Sequence, residues 1–272
     1  MTTIGIIGLG YVGTPIKDWF EAHNECDLVA YDKFKNIGSV EEANKADIIF
    51  VAVPTPFHEG GEGLPDNGAA VVRGYDDAAI RESLENIQDG KIVVIKSTVV
   101  PGSTEKYQKE YPKKAIICNP EFLRAKTARE DFLKPDKQII GYASDEGKKA
   151  AETVMKLLPK ASYERIVHAT EAELIKYFTN AYLATRVIFA NQIYDLAETL
   201  GANYNVIKEC VSKDPRIGES HLNVIHEGVR GVRGACLPKD MKALIERADE
   251  LSTPLDLLKK VDEINEKLRK ET

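Results

Sequence analysis

The chain has 272 residues, 43% hydrophobic and 29% charged, with 19 Gly and 12 Pro, an ordinary globular composition that excludes disorder, collagen-like repeats and coiled-coil arrays. Lys+Arg 37 against Asp+Glu 43 gives a net charge of -6, which argues against a general nucleic-acid binder. No run reaches the roughly 18 apolar residues of a membrane span and the N-terminus lacks a signal-peptide pattern, so a cytosolic, non-membrane chain of one or two domains is expected.

In chain order, short apolar runs at residues 4–7, 28–31, 48–53, 92–95, 115–118 and 138–141 predict strands buried on both faces of a parallel sheet. Helical patterns separate them. Ser39-Val40-Glu41-Glu42 reads as a capping box, and Asp145 is placed to cap a helix ending near Leu158. From Thr170 the pattern is helical only: residues 171–200 run without Pro or Gly, and Gly201 supplies a stop. A glycine-containing loop, residues 214–238, precedes a last amphipathic helix from about Pro254, with Leu255, Leu258, Val261, Ile264 and Leu268 on one face. The expected fold class is α/β: a doubly wound parallel sheet in residues 1–165, then an all-helical domain with a long helix in residues 166–272. Cys26, Cys118, Cys210 and Cys236 form no C-x-x-C pair, so no metal site is expected and the cysteines are free thiols.

Gly8-Leu9-Gly10-Tyr11-Val12-Gly13 follows the first strand and opens a helix, the context in which G-x-G-x-x-G has meaning. Gly8 permits the turn, Gly10 lets a pyrophosphate approach the backbone, and Gly13 lets helix and strand pack closely. The helix N-terminus contributes free N–H groups to an anion. Asp32, 22 residues after Gly10, ends the second strand, where a carboxylate can hold both hydroxyls of an adenosine ribose. It disfavours a 2′-phosphate, so NAD is expected over NADP, with Lys33 and Lys35 pulling the other way. A glycine turn in a nucleotide-free protein is the plain alternative. Strand, helix and Asp32 in register favour a Rossmann-type dinucleotide site, in which Tyr11, Val12 and Pro54 also line the cofactor.

Ligands in such sheets bind beyond the carboxyl ends of the strands. Pro54-Thr55, Ser97-Thr98 and Asn119-Pro120-Glu121 stand there. Thr55 and Thr98 offer hydroxyls to a ribose, nicotinamide or water, and Glu121 offers a general base; turn capping and a solvated carboxylate are the alternatives. Lys176 and Asn180 share a helix face at i,i+4, suited to an oxyanion or to solvent. Arg186 lies off that stripe, suited to packing or a salt bridge.

The strongest chemical segment is Gly234-Ala235-Cys236-Leu237-Pro238-Lys239-Asp240. A helix starting after Cys236 would favour the thiolate through its N-terminus and Lys239, with Asp240 placed to orient water or accept a proton. A buried structural cysteine is the competing reading. Five basic residues against three acidic ones in residues 213–239 suit an anionic ligand such as a diphosphate.

With these segments in order, the chain resembles the UDP-glucose/GDP-mannose dehydrogenase family. The residues carrying the resemblance are the glycine loop, Val53-Pro54-Thr55-Pro56, Ser97-Thr98-Val99 and Asn119-Pro120-Glu121-Phe122-Leu123, followed by Lys176-Tyr177-Phe178-Thr179-Asn180, Asp214-Pro215-Arg216-Ile217-Gly218 and Cys236-Leu237-Pro238-Lys239-Asp240. The resemblance implies oxidation of a nucleotide sugar from C6 alcohol to carboxylate with two NAD, most closely UDP-glucose to UDP-glucuronate. By motif, Cys236 forms the thiohemiacetal and thioester, Lys176 and Asn180 stabilise the oxyanion, Asp240 and Thr98 position a proton relay or water, and Glu121 assists thioester hydrolysis. Glu121, Phe122, Leu123, Lys176, Asn180, Arg216 and Gly234 are the implied substrate contacts.

Three departures stand out. Ala125 replaces a second glutamate and Arg233 replaces a glycine, so that Arg233 would crowd or recharge the pocket. The family also continues into a third domain that grips the nucleotide, whereas this chain stops at Thr272. The nucleotide would then be held by the first two domains, by a dimer mate pairing through the C-terminal helices, by a separate chain, or not at all. GDP-mannose or a UDP-N-acetylhexosamine as substrate, a two-domain hydroxyacid dehydrogenase, and a non-catalytic NAD-binding remnant are the alternatives.

Overall fold

The computed structural model describes residues 2–23, 26–59, 74–124, 126–226 and 228–271; Ala125 lies outside them. Its contacts divide into two compact units, Met1–Lys176 and Tyr177–Thr272.

In the first unit the strands are β1 (Thr2–Ile7), β2 (Cys26–Tyr31), β3 (Ile48–Val51), β4 (Phe57–His58), β5 (Gly74–Tyr75), β6 (Ile92–Ile95), β7 (Ala115–Cys118), β8 (Lys137–Tyr142) and β9 (Tyr163–His168). The helices are α1 (Gly13–Ala22), α2 (Val40–Ala43), α3 (Ala78–Asn86), α4 (Ser103–Glu110), α5 (Ala128–Leu133) and α6 (Asp145–Leu157). Seven strands form one sheet in the order β2-β1-β3-β6-β7-β8-β9, and β4 pairs with β5 in a separate ribbon. The neighbours from β2 to β7 pair in parallel, as their continuous apolar runs require. One hydrophobic cluster packs on each face: Ile49, Val51, Val93 and Ile95 on one, Ile4, Ile6, Phe50 and Val94 on the other. β1 changes face at each residue, so the two clusters are the two sides of a single pleat.

The order reverses around β1 and β3, which opens the crevice beyond their carboxyl ends. β8 differs from the all-parallel expectation. It pairs antiparallel to β7, with the short helix α5 the only helix among the described residues of the link, and it then pairs in parallel with β9 across α6. β9 was absent from the expected strands: as an edge strand of sequence Tyr-Glu-Arg-Ile-Val-His it is mostly polar and carries no apolar run. Ser39 caps α2 as read, accepting from the Glu42 N–H at 3.2 Å. The cap of α6 is Ser144 rather than Asp145; its hydroxyl accepts from the Gly147 N–H at 3.0 Å.

The long helix is α7 (Ala169–Thr199), followed by α8 (Tyr204–Ser212), α9 (Leu237–Glu250) and α10 (Asp256–Glu271). Gly201, with φ 67°, stops α7 in the left-handed conformation that glycine adopts without strain. In the second unit, Val261 and Leu268 of α10 pack with Ala184, Ile188, Val232 and Met241. Two members of the apolar stripe of the last helix, Val261 and Leu268, are therefore buried within their own unit, while Leu255, Leu258 and Ile264 are half-buried. No described helix is long and apolar enough to cross a membrane.

Candidate active site

The glycine loop joins β1 to α1 beyond the carboxyl end of the sheet. Gly8 has φ 89°, and a Cβ there would stand 2.5 Å from the Ala52 carbonyl oxygen. A Cβ on Gly13 would lie 1.8 Å from the Gly8 oxygen, so any side chain would force α1 off the loop. A Cβ on Gly10 would meet nothing within 4 Å, which leaves the backbone there open to a ligand. α1 begins immediately after, with first-turn N–H groups that have no partner inside the helix. Beside the loop lies a cavity of about 390 Å³ lined by Gly8, Gly10, Tyr11, Val12, Asp32, Lys33 and Pro54. Its size, its bare backbone and the acidic residue at its wall fit a dinucleotide.

Asp32 has a second task that its motif position does not reveal. One carboxylate oxygen accepts from the Leu9 N–H at 2.8 Å; the other accepts from Phe34 N–H and Lys35 N–H at 3.0 and 3.1 Å. Burial alone would raise the Asp32 carboxyl, but these backbone donors and the Lys35 ammonium outweigh it and hold the group below the usual carboxylate range. Asp32 thus ties the glycine loop to the end of β2. Lys33 is drawn away to Glu82, at 2.8 Å from both carboxylate oxygens, on the far wall of the same cavity.

At the end of β6, Thr55 Oγ1 and Tyr75 Oη each donate to the Thr98 carbonyl at 2.9 Å, fixing the turn that carries Thr98. The Thr55 hydroxyl proton is therefore spent on this turn. Below it, Glu121 and Lys176 meet at 2.6 Å, each with a side chain only 6% exposed, and the other Glu121 oxygen accepts from Leu123 N–H at 2.7 Å. The pair carries more cations around it than the sequence reading anticipated. Lys96 is buried and donates to Asn119 Oδ1 at 2.9 Å; burial, aided by Lys176 and opposed by Glu121, brings its ammonium down to about 8. Burial and Lys176 likewise hold Lys137 down, and its ammonium stands 4.0 Å from the Phe122 ring. Glu121, Phe122 and Lys176 thus lie together in a cationic pocket. A lysine directly following an apolar strand run, as Lys96 follows Ile95, was the available signal.

Glu173, one turn before Lys176, was also unforeseen. It is 1% exposed and accepts from the N–H groups of Gly102 and Thr104 at 2.6 and 2.8 Å, capping α4 from another helix. Burial raises its carboxyl to about 7 against those donors. Because the folded value lies above the unfolded 4.5, the folded state binds the extra proton between these pH values. The stabilisation is complete below pH 4.5 and is lost as pH rises through 7. Urea denaturation of wild type and Glu173→Gln should show a stability difference that falls by up to about 3 kcal/mol across that window. A difference that stays flat with pH would refute this.

In the second unit, Cys236 is the exposed N-cap of α9, and no side-chain cap bond is made there. Pro238 sits in the first turn, where its missing N–H costs nothing. Asp240 is 2% exposed; its carboxylate accepts from Asn180 Nδ2 at 2.6 Å and from Lys239 Nζ at 2.7 Å. Asn180 is thereby oriented by the segment that carries the cysteine. Gly234, φ 85°, has open space where a Cβ would be. Arg216 is exposed and grips its neighbour Asp214 at 2.6 Å. Arg186 leans on the Gly218 carbonyl at 3.5 Å and the Tyr182 ring. Arg233 turns toward α10, where its Nη2 donates to the Arg269 carbonyl at 3.4 Å in the last turn.

Residues 27–158 match the profile of the UDP-glucose/GDP-mannose dehydrogenase family NAD binding domain, and residues 170–267 match that family's central domain. The UDP-glucose 6-dehydrogenase of Rhizobium meliloti (strain 1021) is 35% identical, over 81% of this chain and 50% of its own length. The UDP-glucose 6-dehydrogenase AglM of Haloferax volcanii is 30% identical, over 97% of this chain and 69% of its own. Among solved structures, a UDP-glucose dehydrogenase from Pyrobaculum islandicum superposes with a TM-score of 0.80 at 29% identity, covering 98% of this chain and 68% of that one. The 3-hydroxyisobutyrate dehydrogenase of Mycobacterium tuberculosis shares the fold, with TM-score 0.73 and 15% identity, over 98% and 93% of the two chains. The chain spans about half the length of the curated relatives it matches first.

Proposed function

Because the chain belongs to the UDP-glucose/GDP-mannose dehydrogenase family, whose NAD-binding and central domains it carries, we propose that it oxidises UDP-glucose to UDP-glucuronate, with two NAD per sugar. The observation that carries this reading is the exposed Cys236 thiol at the N-terminus of α9, with buried Asp240 one turn further on. A simple alcohol oxidation has no use for sulfur, whereas a four-electron oxidation to an acid can pass through a thioester.

NAD, when bound, supplies a two-electron acceptor for each of the two oxidations. Gly8, Gly10, Tyr11, Val12 and Gly13 would hold its pyrophosphate, Asp32 and Lys33 its adenosine ribose, and Pro54, Thr55 and Thr98 its nicotinamide half. The thiolate of Cys236, favoured by the helix N-terminus and by Lys239, adds to the C6 aldehyde as a thiohemiacetal. Lys176 and Asn180 stabilise the oxyanion formed there. After the second oxidation leaves a thioester, Glu121 accepts the proton of the attacking water, and Asp240 and Thr98 position that water or relay the proton. Phe122, Leu123, Arg216 and Gly234 contact the nucleotide sugar. Residues 1–165 bind the cofactor and residues 166–272 form the helical domain of a cytoplasmic protein.

The homodimer is expected through the C-terminal helices, and α7 offers the longest exposed apolar stripe, since Val261 and Leu268 of α10 are buried within their own unit. Phe178, Tyr182, Phe189, Leu196 and Leu200 are each more than half exposed at helical spacing, a stripe of about 33 Å suited to a second copy of itself. Sedimentation equilibrium should give a dimer that Phe189→Asp weakens at least tenfold; a wild-type monomer would sink the idea.

The deciding assay counts NADH formed per sugar nucleotide consumed, for wild type and Cys236→Ala, with UDP-glucose, GDP-mannose and a UDP-N-acetylhexosamine. Two per UDP-glucose in wild type supports the reading. One per substrate, unaffected by Cys236→Ala, would refute it.

A further inference from the structure

The loop leading to Cys236 has little regular structure. Among the described residues between His226 and Cys236 the only regular pairing is one bridge, His226 with Val229. Gly228, Gly231 and Gly234 all take positive φ. Among the described residues of 226–236, Val232 alone is buried, 2% exposed and packed with Val261 and Leu268 of α10.

Beside Val232 stands Asn265 of α10, fully buried. Its Oδ1 accepts from the Val232 N–H at 2.6 Å, and its Nδ2 donates to the Val232 carbonyl at 3.2 Å. One side-chain amide thus satisfies both polar groups of one peptide residue, as a neighbouring strand would. No other side chain of this length does both: aspartate lacks the donor and leucine lacks both groups. The loop is shaped to admit it. A Cβ on Gly231 would stand 2.8 Å from Asn265 Oδ1. One turn beyond Asn265, the Arg269 carbonyl takes the hydrogen bond from Arg233, so α10 grips the loop at two points on one face. On the other side Arg230 ties the loop to Asn191 and Asp195 of α7, at 3.0 and 2.7 Å.

We infer that Asn265 is a positioning residue for Cys236: by clamping the Val232 peptide to α10 it sets where the glycine loop delivers the thiol to the N-terminus of α9. This inference rests on the proposed nucleophilic role of Cys236. It assigns α10 a part in the chemistry, although α10 carries none of the residues placed at the reacting atoms.

The test reads the thiol without substrate. Alkylation of Cys236 by iodoacetamide is followed from pH 6 to 9 in the full chain by peptide-resolved mass spectrometry, which separates it from exposed Cys210. Asn265→Leu keeps the side-chain volume and removes both bonds. It should slow Cys236 alkylation at pH 7 by about threefold or more and raise the pH midpoint, the size expected when a thiolate loses a helix N-terminus. Val261→Ala weakens the same packing while leaving the clamp in place, and should lower the melting temperature without moving that profile. Gly231→Ala, which pushes the amide away from the loop side, should reproduce the Asn265→Leu shift, and it decides the matter if Asn265→Leu does not fold. An unchanged profile in the folded Asn265 or Gly231 variant, or an equal shift in Val261→Ala, overturns the inference. The two readings fail separately. If Cys236→Ala still forms two NADH per sugar, the proposed function falls while the alkylation result stands. If the alkylation profile does not move but Cys236→Ala loses the second NADH, only the role of Asn265 falls.

Discussion

Cys236→Ala should lose at least about 10⁴-fold in the rate of uronate formation, the cost typical of removing a covalent nucleophile. It should form one NADH or none per sugar, with any product released as the aldehyde. Its thermal stability should stay within about 0.5 kcal/mol of wild type, because Cys236 is exposed and the removal of an exposed thiol leaves no cavity. This combination separates the chemical reading from the structural one. A buried structural cysteine would give the opposite pattern, lost stability with retained turnover. Cys118 supplies the internal contrast: it is 1% exposed, and burial raises its thiol well above the ordinary range. Cys118→Ala should therefore lower stability through packing and leave the NADH count at two.

The second large effect concerns the Glu121–Lys176 pair, whose partners are 2.6 Å apart and almost without solvent. Lys176→Ala leaves the Glu121 carboxylate buried without its cation and should destabilise the chain by about 3–5 kcal/mol, as well as abolishing turnover. Glu121→Gln with Lys176→Met removes both charges and should recover most of that stability while remaining inactive. Denaturant unfolding of the single and double variants measures the first claim, and the NADH assay the second. A loss under 1 kcal/mol in Lys176→Ala would mean that the pair is neither buried nor coupled as described. Lys96 makes the outcome asymmetric. Its ammonium is held down partly by Lys176 and held up by Glu121, so Glu121→Gln alone leaves Lys176 between two other buried or half-buried lysines, Lys96 and Lys137, without its carboxylate. That variant should therefore also be destabilised, although it removes a charge.

Much of the architecture was legible because it is local. The continuous apolar runs of β1, β3, β6 and β7 need no distant partner to be read as buried strands. The three glycines of the β1–α1 loop occupy their positions because a Cβ at Gly8 or Gly13 would strike backbone atoms. Ser39 and Gly201 act within four residues of themselves. The start of α9 directly after Cys236 follows from Pro238 and the apolar spacing beyond it.

What was missed has partners far along the chain. β9 is polar enough to pass for a loop, and it becomes a strand only because β8 lies beside it. Glu173 looks like one charge among several on a helix until the N-terminus of α4, some seventy residues earlier, is seen to end against it. Arg233 was expected, from the resemblance to the family, to crowd or recharge the pocket. Its reach to the Arg269 carbonyl depends on where α10 lies.

The sequence by itself determined the fold class, the cofactor loop and the cysteine at a helix start, since each is encoded by sterics and capping within a few residues. Only the tertiary structure decided that Lys176 pairs with Glu121, that Asn180 is held by Asp240, that Val261 and Leu268 of the last helix are buried in their own unit, and that Asn265 closes on Val232. In each case the alternative to a partner is a buried charge, an unmet hydrogen bond or an exposed apolar stripe, and which partner relieves that cost depends on what folding brings within about 3 Å.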